Sequence, residues 1–372
     1  MTQTKHDSHH DTHALPPMFI QEAYWHYNKV KPADLENDAK VIDFAKGLSE
    51  DQARVLRPVG SIKAATIVAA CSAFRRAALV EDSKSPFKDL IKDAQIYEHQ
   101  DFPGLQIIPG LLPPETQILW VSRILHEYLA DPLHKINLEA DYDIEYPLPP
   151  PVQTEEKDSS SATGFARTFF THEAQSRFCT PKTDAKPLNA VQFLSRKLRW
   201  LTLGTQYHWP TRSYPRNPST IFPPDLSALV TGLFPHITPE SGVCLLYGPK
   251  DFMPVHRDVS EQCQRALASF SVGCDGIFLV ARGVEEAETD AEKATRVVAI
   301  RVHSGDCIHL DGETRWAWHA MPRTVAGTCP KYLADWPAGS PGWGKKETKA
   351  FEKWKGWMGS KRLNVSCRQV WD

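Results

Sequence analysis

Few features of this chain suggest a membrane, exported or disulfide-stapled protein. No apolar run approaches the ~18 residues that a membrane-spanning helix needs. The first residues have neither the apolar stretch of a signal peptide nor the Arg-rich, acid-poor character of a transit peptide. The eight cysteines contain no C-x-x-C and no regular spacing, which argues against a structural zinc site or a disulfide framework. An intracellular protein of a reducing compartment is expected, with cytoplasm, nucleus and mitochondrion all compatible. Neither sign of charge predominates. The 43 Lys and Arg stand against 45 Asp and Glu, a net of -2, so no global field draws the chain to a polyanion and any such site is a local patch. What is present is 41% hydrophobic residues over 372 positions, ample for one large domain or two smaller ones. A monomer is expected.

Composition divides the chain. Residues 1–17 hold His6, His9, His10 and His13 among Asp, Thr and Ser, and read as a disordered His-rich tail. Residues 18–147 read as a mostly helical extension. Its clearest segment, Glu115 to Leu125, has helical periodicity and Pro113-Pro114 at its start. Residues 148–190 are rich in Pro, Ser, Thr, Lys and Glu and read as a flexible insertion outside the core. Residues 191–372 carry short apolar runs bounded by turns: 243–247, 267–272, 276–280, 296–302, 306–310 and 363–367. Such strands suggest an antiparallel barrel or sandwich.

His256-Arg257-Asp258, followed by His319 and by Arg362 and Arg368 near the C-terminus, is the most informative pattern. In extended chain, residues two apart share a face, so His256 and Asp258 can serve one metal. An H-x-D pair with one distant His is the sequence form of the facial triad of non-haem Fe(II), which leaves positions open on the metal. H-x-D alone is a weak signal. A second one, His309-Leu310-Asp311, competes; its only later His is His319, eight residues on, so its third ligand would have to come from upstream.

Around the first pair, seven ordered blocks resemble the AlkB family of Fe(II)/2-oxoglutarate dioxygenases, and within it the homologue-one branch. They are LGTQYHW from Leu203, PPDL from Pro223, HRDVSE from His256, SFSVGCDGIFL from Ser269 and HSGD from His303. Arg315 with His319, Pro322 and Arg323, and RLNVSCRQV from Arg362, complete the set. The likeness covers roughly 200–372. It implies an α+β fold, with a double-stranded β-helix (jelly-roll) core braced by the N-terminal helices. It implies Fe(II) on His256, Asp258 and His319, with 2-oxoglutarate and O2 as co-substrates. Arg362 would take the 5-carboxylate, for which a planar guanidinium fork suits better than Lys. Arg368 would lie near the 1-carboxylate and Asp258, with Tyr247 touching the co-substrate. One departure stands out: Leu245 occupies the place where the family commonly has an Asn that also touches 2-oxoglutarate.

The implied activity is oxidative demethylation of an N-methylated base, N-methyladenine above all, in tRNA or in unpaired DNA. The base must be flipped or unpaired to reach the iron. Tyr207, Trp209 and Arg212 combine aromatic faces with a cation, as base stacking and phosphate holding require; a packed loop under the barrel is the alternative. Glu261, three residues past Asp258, is a candidate acceptor for a base edge. Between Trp343 and Arg362, lysines alternate with Phe351, Trp354 and Trp357-Met358 at helical spacing, which suggests an amphipathic brace rather than a phosphate track. Two other classes are compatible: a protein or small-molecule hydroxylase with the same iron site, and an inactive AlkB-like binding module, to which only Leu245 points.

Overall fold

A computed structural model describes residues 13–79, 91–148, 168–182, 184–208, 211–283, 289, 296–339 and 349–372. Most of the 1–17 tail, the 149–167 stretch, Trp209 and residues 340–348 therefore lie outside the described residues.

In chain order the helices are α1 (Met18–Lys29), α2 (Pro32–Glu36), α3 (Glu50–Val55), α4 (Ala64–Ala77), α5 (Pro114–Ser122), α6 (Pro224–Leu233) and α7 (Lys331–Ala334). The strands are β1 (Val41–Ile42), β2 (Leu56–Ile62), β3 (Ala94–His99), β4 (Leu105–Ile108), β5 (Tyr142–Ile144), β6 (Cys179–Pro181), β7 (Trp200–Gly204) and β8 (Ser241–Tyr247). Then come β9 (Met253–His256), β10 (Leu267–Gly273), β11 (Gly276–Ala281), β12 (Val297–Val302), β13 (Cys307–Leu310), β14 (Trp318–Thr324) and β15 (Arg362–Arg368). Two sheets form the core, in the orders β1-β12-β11-β14-β9 and β2-β3-β4-β13-β10-β15-β8-β7. Apart from the parallel β1–β12 pair, their pairings are antiparallel. This is the jelly-roll that the family resemblance implies, one form of the antiparallel barrel or sandwich that the strand pattern suggests.

Alternation places the core. On β13, Ile308 and Leu310 turn toward the space between the sheets, while Cys307 turns to the helical layer outside. On β10, Phe270 and Val272 join that outer layer with Trp120 of α5 and Leu226 and Leu229 of α6. The side turned inward carries Ser269 and Ser271 instead. α1 covers the smaller sheet, with Phe19 and Ile20 against Ala281 and Trp318, and Tyr27 beside Ile277 and Leu279.

Three expectations need correction. The region 18–147 is not mostly helical: β2, β3 and β4 extend the larger sheet past β13, and β1 adds to the smaller one. β1 and β4 are short, and β2 and β3 bury only their end residues, so their periodicity is faint. The Glu115–Leu125 helix is real, but its last turn widens into a π-helix over Arg123–Tyr128. The segment 148–190 is not all outside the core. Phe169, Phe170, Phe178, Leu188 and Ala190 are buried, and β6 pairs with β5. Each Phe so buried contributes about 1.5–3 kcal/mol, enough to anchor a segment whose composition is otherwise loop-like. The described part of the brace before β15 is helical at Lys349 and Ala350 and then forms two 3-10 turns, Glu352–Trp354 and Trp357–Ser360; Phe351, Trp354, Trp357 and Met358 are buried.

Candidate metal centre

Between the two sheets lies a cavity of about 450 Å³, open at one end. His256, Asp258 and His319 sit in its wall, and one ligand atom from each falls within 4.8 Å of the others. They are the one such group among the described residues. Strand register explains the meeting. β9 and β14 are antiparallel neighbours in which His256 stands directly opposite His319, with ring centroids 4.3 Å apart. Asp258 follows two residues after His256 and reaches to 3.9 Å from His319 Nε2. Arg257, between them, points to the other face and stacks its guanidinium 4.5 Å over the Trp318 ring.

Each histidine is held in the tautomer a metal needs. His256 Nδ1 donates to the Pro254 carbonyl at 2.8 Å and His319 Nδ1 to the Ala317 carbonyl at 3.0 Å. A carbonyl only accepts, so Nδ1 carries the proton and Nε2 keeps its lone pair. Burial, then His256 close by, pushes the His319 imidazole down to about 4, so it is neutral at physiological pH. Burial would raise the Asp258 carboxyl, but Arg368, His319, His256 and Arg315 outweigh it and hold it ionised. Two imidazoles that present Nε2 and a carboxylate on one side of a cavity suit a non-haem Fe(II).

Arg362 and Arg368 reach the cavity from the two ends of β15. Arg362 is fully buried and donates to Ser271 Oγ at 2.8 Å and to the Cys274 carbonyl at 3.3 Å. Its Nε finds no acceptor, and no carboxylate of the described residues pairs with it. A buried guanidinium in that state is costly unless an anion joins it. Gly276 makes room for it: a Cβ there would fall 2.8 Å from Arg362 Nε and 2.6 Å from Met321 Sδ. Tyr247, directly opposite Arg362 in the β8–β15 register, is buried in the same wall, and burial pushes its hydroxyl well up. This guanidinium and the His–Asp–His cluster line the same cavity. Arg368 Nη2 lies 3.1 Å from Asp258 Oδ2 and its Nε is likewise without an acceptor.

The remaining candidates fall out differently. Tyr207 and Arg212 line the cavity mouth, Arg212 exposed with a positive φ of 48°; Trp209, between them in sequence, is outside the described residues. Glu261 is not open to a base edge. It is buried, with Oε1 2.8 Å from Arg368 Nη1 and Oε2 3.2 Å from Arg315 Nη2. The residue was read from its position in the chain; only the fold shows that two arginines close around it. His309 faces away from the cavity, its Nε2 3.0 Å from His236 Nε2 and its ring stacked on Phe234. The sequence reading missed Trp200, Ser269, Ser271, Asn364 and Ser366 as cavity lining. Their signal was present: on β10 and β15 the polar residues alternate with apolar ones, as they must where the inward face is wet.

The 2OG-Fe(II) oxygenase superfamily model matches residues 157–368, more than half of the chain. The chain belongs to that superfamily. Within it, the chain is an AlkB-family oxygenase of the homologue-one branch. It is 32% identical, over 97% of both chains, to the N6-methyladenosine RNA demethylase ALKB1 of Pyricularia oryzae. It is 39% identical to the N6-methyladenosine RNA demethylase ALKBH of Cryphonectria parasitica, over 55% of this chain and 91% of that one. It is 31% identical to the tRNA demethylase abh1 of Schizosaccharomyces pombe, over 74% and 82% of the two chains. Fe(II), 2-oxoglutarate and O2 are thus the requirements of this oxygenase. Among its described residues no helix is long and apolar enough to cross a membrane.

Proposed function

We propose that this AlkB-family oxygenase removes methyl groups from N-methylated bases, N-methyladenine above all, in RNA or unpaired DNA. The observation that carries the reading is the pairing of His256 with His319 across β9 and β14, beside Asp258 and within one cavity with the unmatched Arg362. The relatives' activities on methylated RNA and tRNA support the substrate class.

In this reading His256, Asp258 and His319 hold the iron. Arg362 takes the far carboxylate of 2-oxoglutarate through its fork, and Tyr247 and Ser271 pack beside it. Arg368 keeps Asp258 ionised and oriented. Bound Fe(II) with 2-oxoglutarate supplies dioxygen activation, oxidising the methyl group to a hydroxymethyl that breaks down to formaldehyde, with succinate and carbon dioxide released. The chain's own part is placement. Phe278, Met253 and Met321 give the smaller-sheet side of the cavity an apolar lining, while Tyr207 and Arg212 at the mouth offer a stacking face and a cation to an unpaired nucleotide.

Nucleoside mass spectrometry after incubation with tRNA and with methylated single-stranded DNA tests the proposal. The expected result is loss of N-methyladenine with formaldehyde formed in equal amount. Turnover of 2-oxoglutarate without loss of any methylated nucleoside would move the assignment to a protein or small-molecule hydroxylase.

A further inference from the structure

Glu261 and Arg315, which no step above uses, extend the Asp258–Arg368 pair into a buried chain of alternating charge. Arg315 Nη2 lies 3.2 Å from Glu261 Oε2, Glu261 Oε1 lies 2.8 Å from Arg368 Nη1, and Arg368 Nη2 lies 3.1 Å from Asp258 Oδ2. Arg315 also donates from Nη1 to the Asp258 carbonyl and from Nε to the Arg265 carbonyl, each at 3.0 Å. The chain thus clamps the metal-ligand loop at both its backbone and its carboxylate. It has a branch toward the mouth. Tyr214 donates its hydroxyl to Glu261 Oε1 at 3.3 Å, and Tyr207 packs edge-on against the Tyr214 ring at 5.3 Å. Ser260, next in sequence to Glu261, donates to the Tyr207 hydroxyl at 3.3 Å.

We infer that Glu261 is a positioning residue that ties the aromatic loop around Tyr207 and Tyr214 to Arg368 and Asp258, so that a base engaging the loop sets the co-substrate side of the cavity. The inference rests on the functional reading above. Glu261 divides Arg368 between two carboxylates. Without its charge, Arg368 is left to Asp258 alone, which would also hold the metal. Burial makes the division strict, because an ionised group here has no water to turn to. The hydroxyl of Tyr214 is the lightest link, a neutral donor on the shared oxygen.

Two variants test it. Glu261→Gln keeps shape and removes charge. It should weaken 2-oxoglutarate binding to the Mn(II)-loaded protein by about 30-fold, the low end for truncating a buried charged pair. It should also raise the 2-oxoglutarate consumed per methyl removed from a methylated oligonucleotide, and Glu261→Asp should recover part of both. Tyr214→Phe removes only the hydroxyl. It should leave the melting temperature and Mn(II)-dependent 2-oxoglutarate binding unchanged while raising the consumption ratio about threefold, the scale of one modest hydrogen bond. Unchanged binding and ratio in Glu261→Gln would overturn the inference. So would a Tyr214→Phe protein as tightly coupled as the unsubstituted one, even if Glu261→Gln failed to fold. If the unsubstituted protein consumed 2-oxoglutarate but demethylated no oligonucleotide, the functional reading and the coupling to a base would both fall.

Discussion

Two of the chain's H-x-D pairs, at His256 and at His309, each set their histidine against a second histidine. At the cavity, His256 faces His319 across paired strands, with Asp258 beside them and open space in front. On the outer side of β13, His309 meets His236 at 3.0 Å with Phe234 stacked on its ring. Burial, then His236, pushes His309 down to about 4, much as burial pushes down His319. Its Asp311 turns to the Gly312 N–H and caps a 3-10 helix. Two imidazoles with no carboxylate and no cavity make a packing contact. The same spacing therefore yields a metal centre or a piece of core according to which face of the strand looks onto space. A depressed histidine pKa does not tell them apart.

The sharpest way to break this comparison is to delete one histidine from each pair. His319→Ala or Asp258→Ala should cut 2-oxoglutarate turnover by more than the ~100-fold that loss of an outer partner costs a metal site, with little change in melting temperature. His309→Ala should do the reverse, keeping turnover and losing stability by about 2–4 kcal/mol through the cavity it leaves. Activity and denaturation measured on both proteins decide it; equal loss of turnover would mean that the outer pair serves the reaction.

Next in size is the anion side of the cavity. Arg362→Lys keeps the charge and loses the planar fork, and should weaken 2-oxoglutarate binding by about 30-fold. Calorimetry on the Mn(II)-loaded protein reads this directly, and an unchanged affinity would place the 5-carboxylate elsewhere.

Leu245 tests whether the cavity tolerates a further polar group. It lies opposite Asn364 in the β8–β15 register, and both line the cavity. Leu245→Asn should tighten 2-oxoglutarate binding about fivefold, the value of one net hydrogen bond. Weaker binding with a lowered melting temperature would show that Leu245 is a packing choice and that Tyr247 and the arginines suffice.

The smallest effect concerns His303, which bridges the N-terminal segment to the barrel through Asp43 at 2.9 Å and Asp275 at 3.1 Å. Burial would lower its pKa, but these carboxylates raise it to about 9 from 6.5. The folded value exceeds the unfolded one, so the contribution is complete below about pH 6.5 and disappears as pH rises through about 9. Melting temperature should fall across that window, and His303→Asn should flatten the fall. A pH-independent melting temperature in the unsubstituted protein would count against a charged His303.

Much of the barrel was legible because its strands are apolar and buried on at least one face. Six apolar runs correspond to β8, β10, β11, β12, β13 and β15 within two residues at their ends. β14 was not read as a strand, since Pro322 interrupts it and a register shift falls between His319 and Met321. β1 and β4 are only two and four residues long, while β2 and β3 are buried at their ends alone, so none of the four shows a clear period of two. In the site, the iron-ligand candidates and both arginines stood out by spacing and residue type. Glu261 was placed at the right locus with the wrong neighbours, since sequence distance says nothing of Arg315, 54 positions away.

The sequence by itself determined the chemistry on offer: an H-x-D with a distant His, two arginines six residues apart on one strand, and strands whose alternation turns serines one way and aromatics the other. Those depend on residue identity and on the period of two in extended chain, both local. Only the tertiary structure decided which H-x-D faces the cavity, that His256 and His319 stand opposite each other, and that Glu261 is enclosed by two guanidinium groups. Those depend on pairing between strands far apart in the chain, where a shift of one residue reverses every side chain.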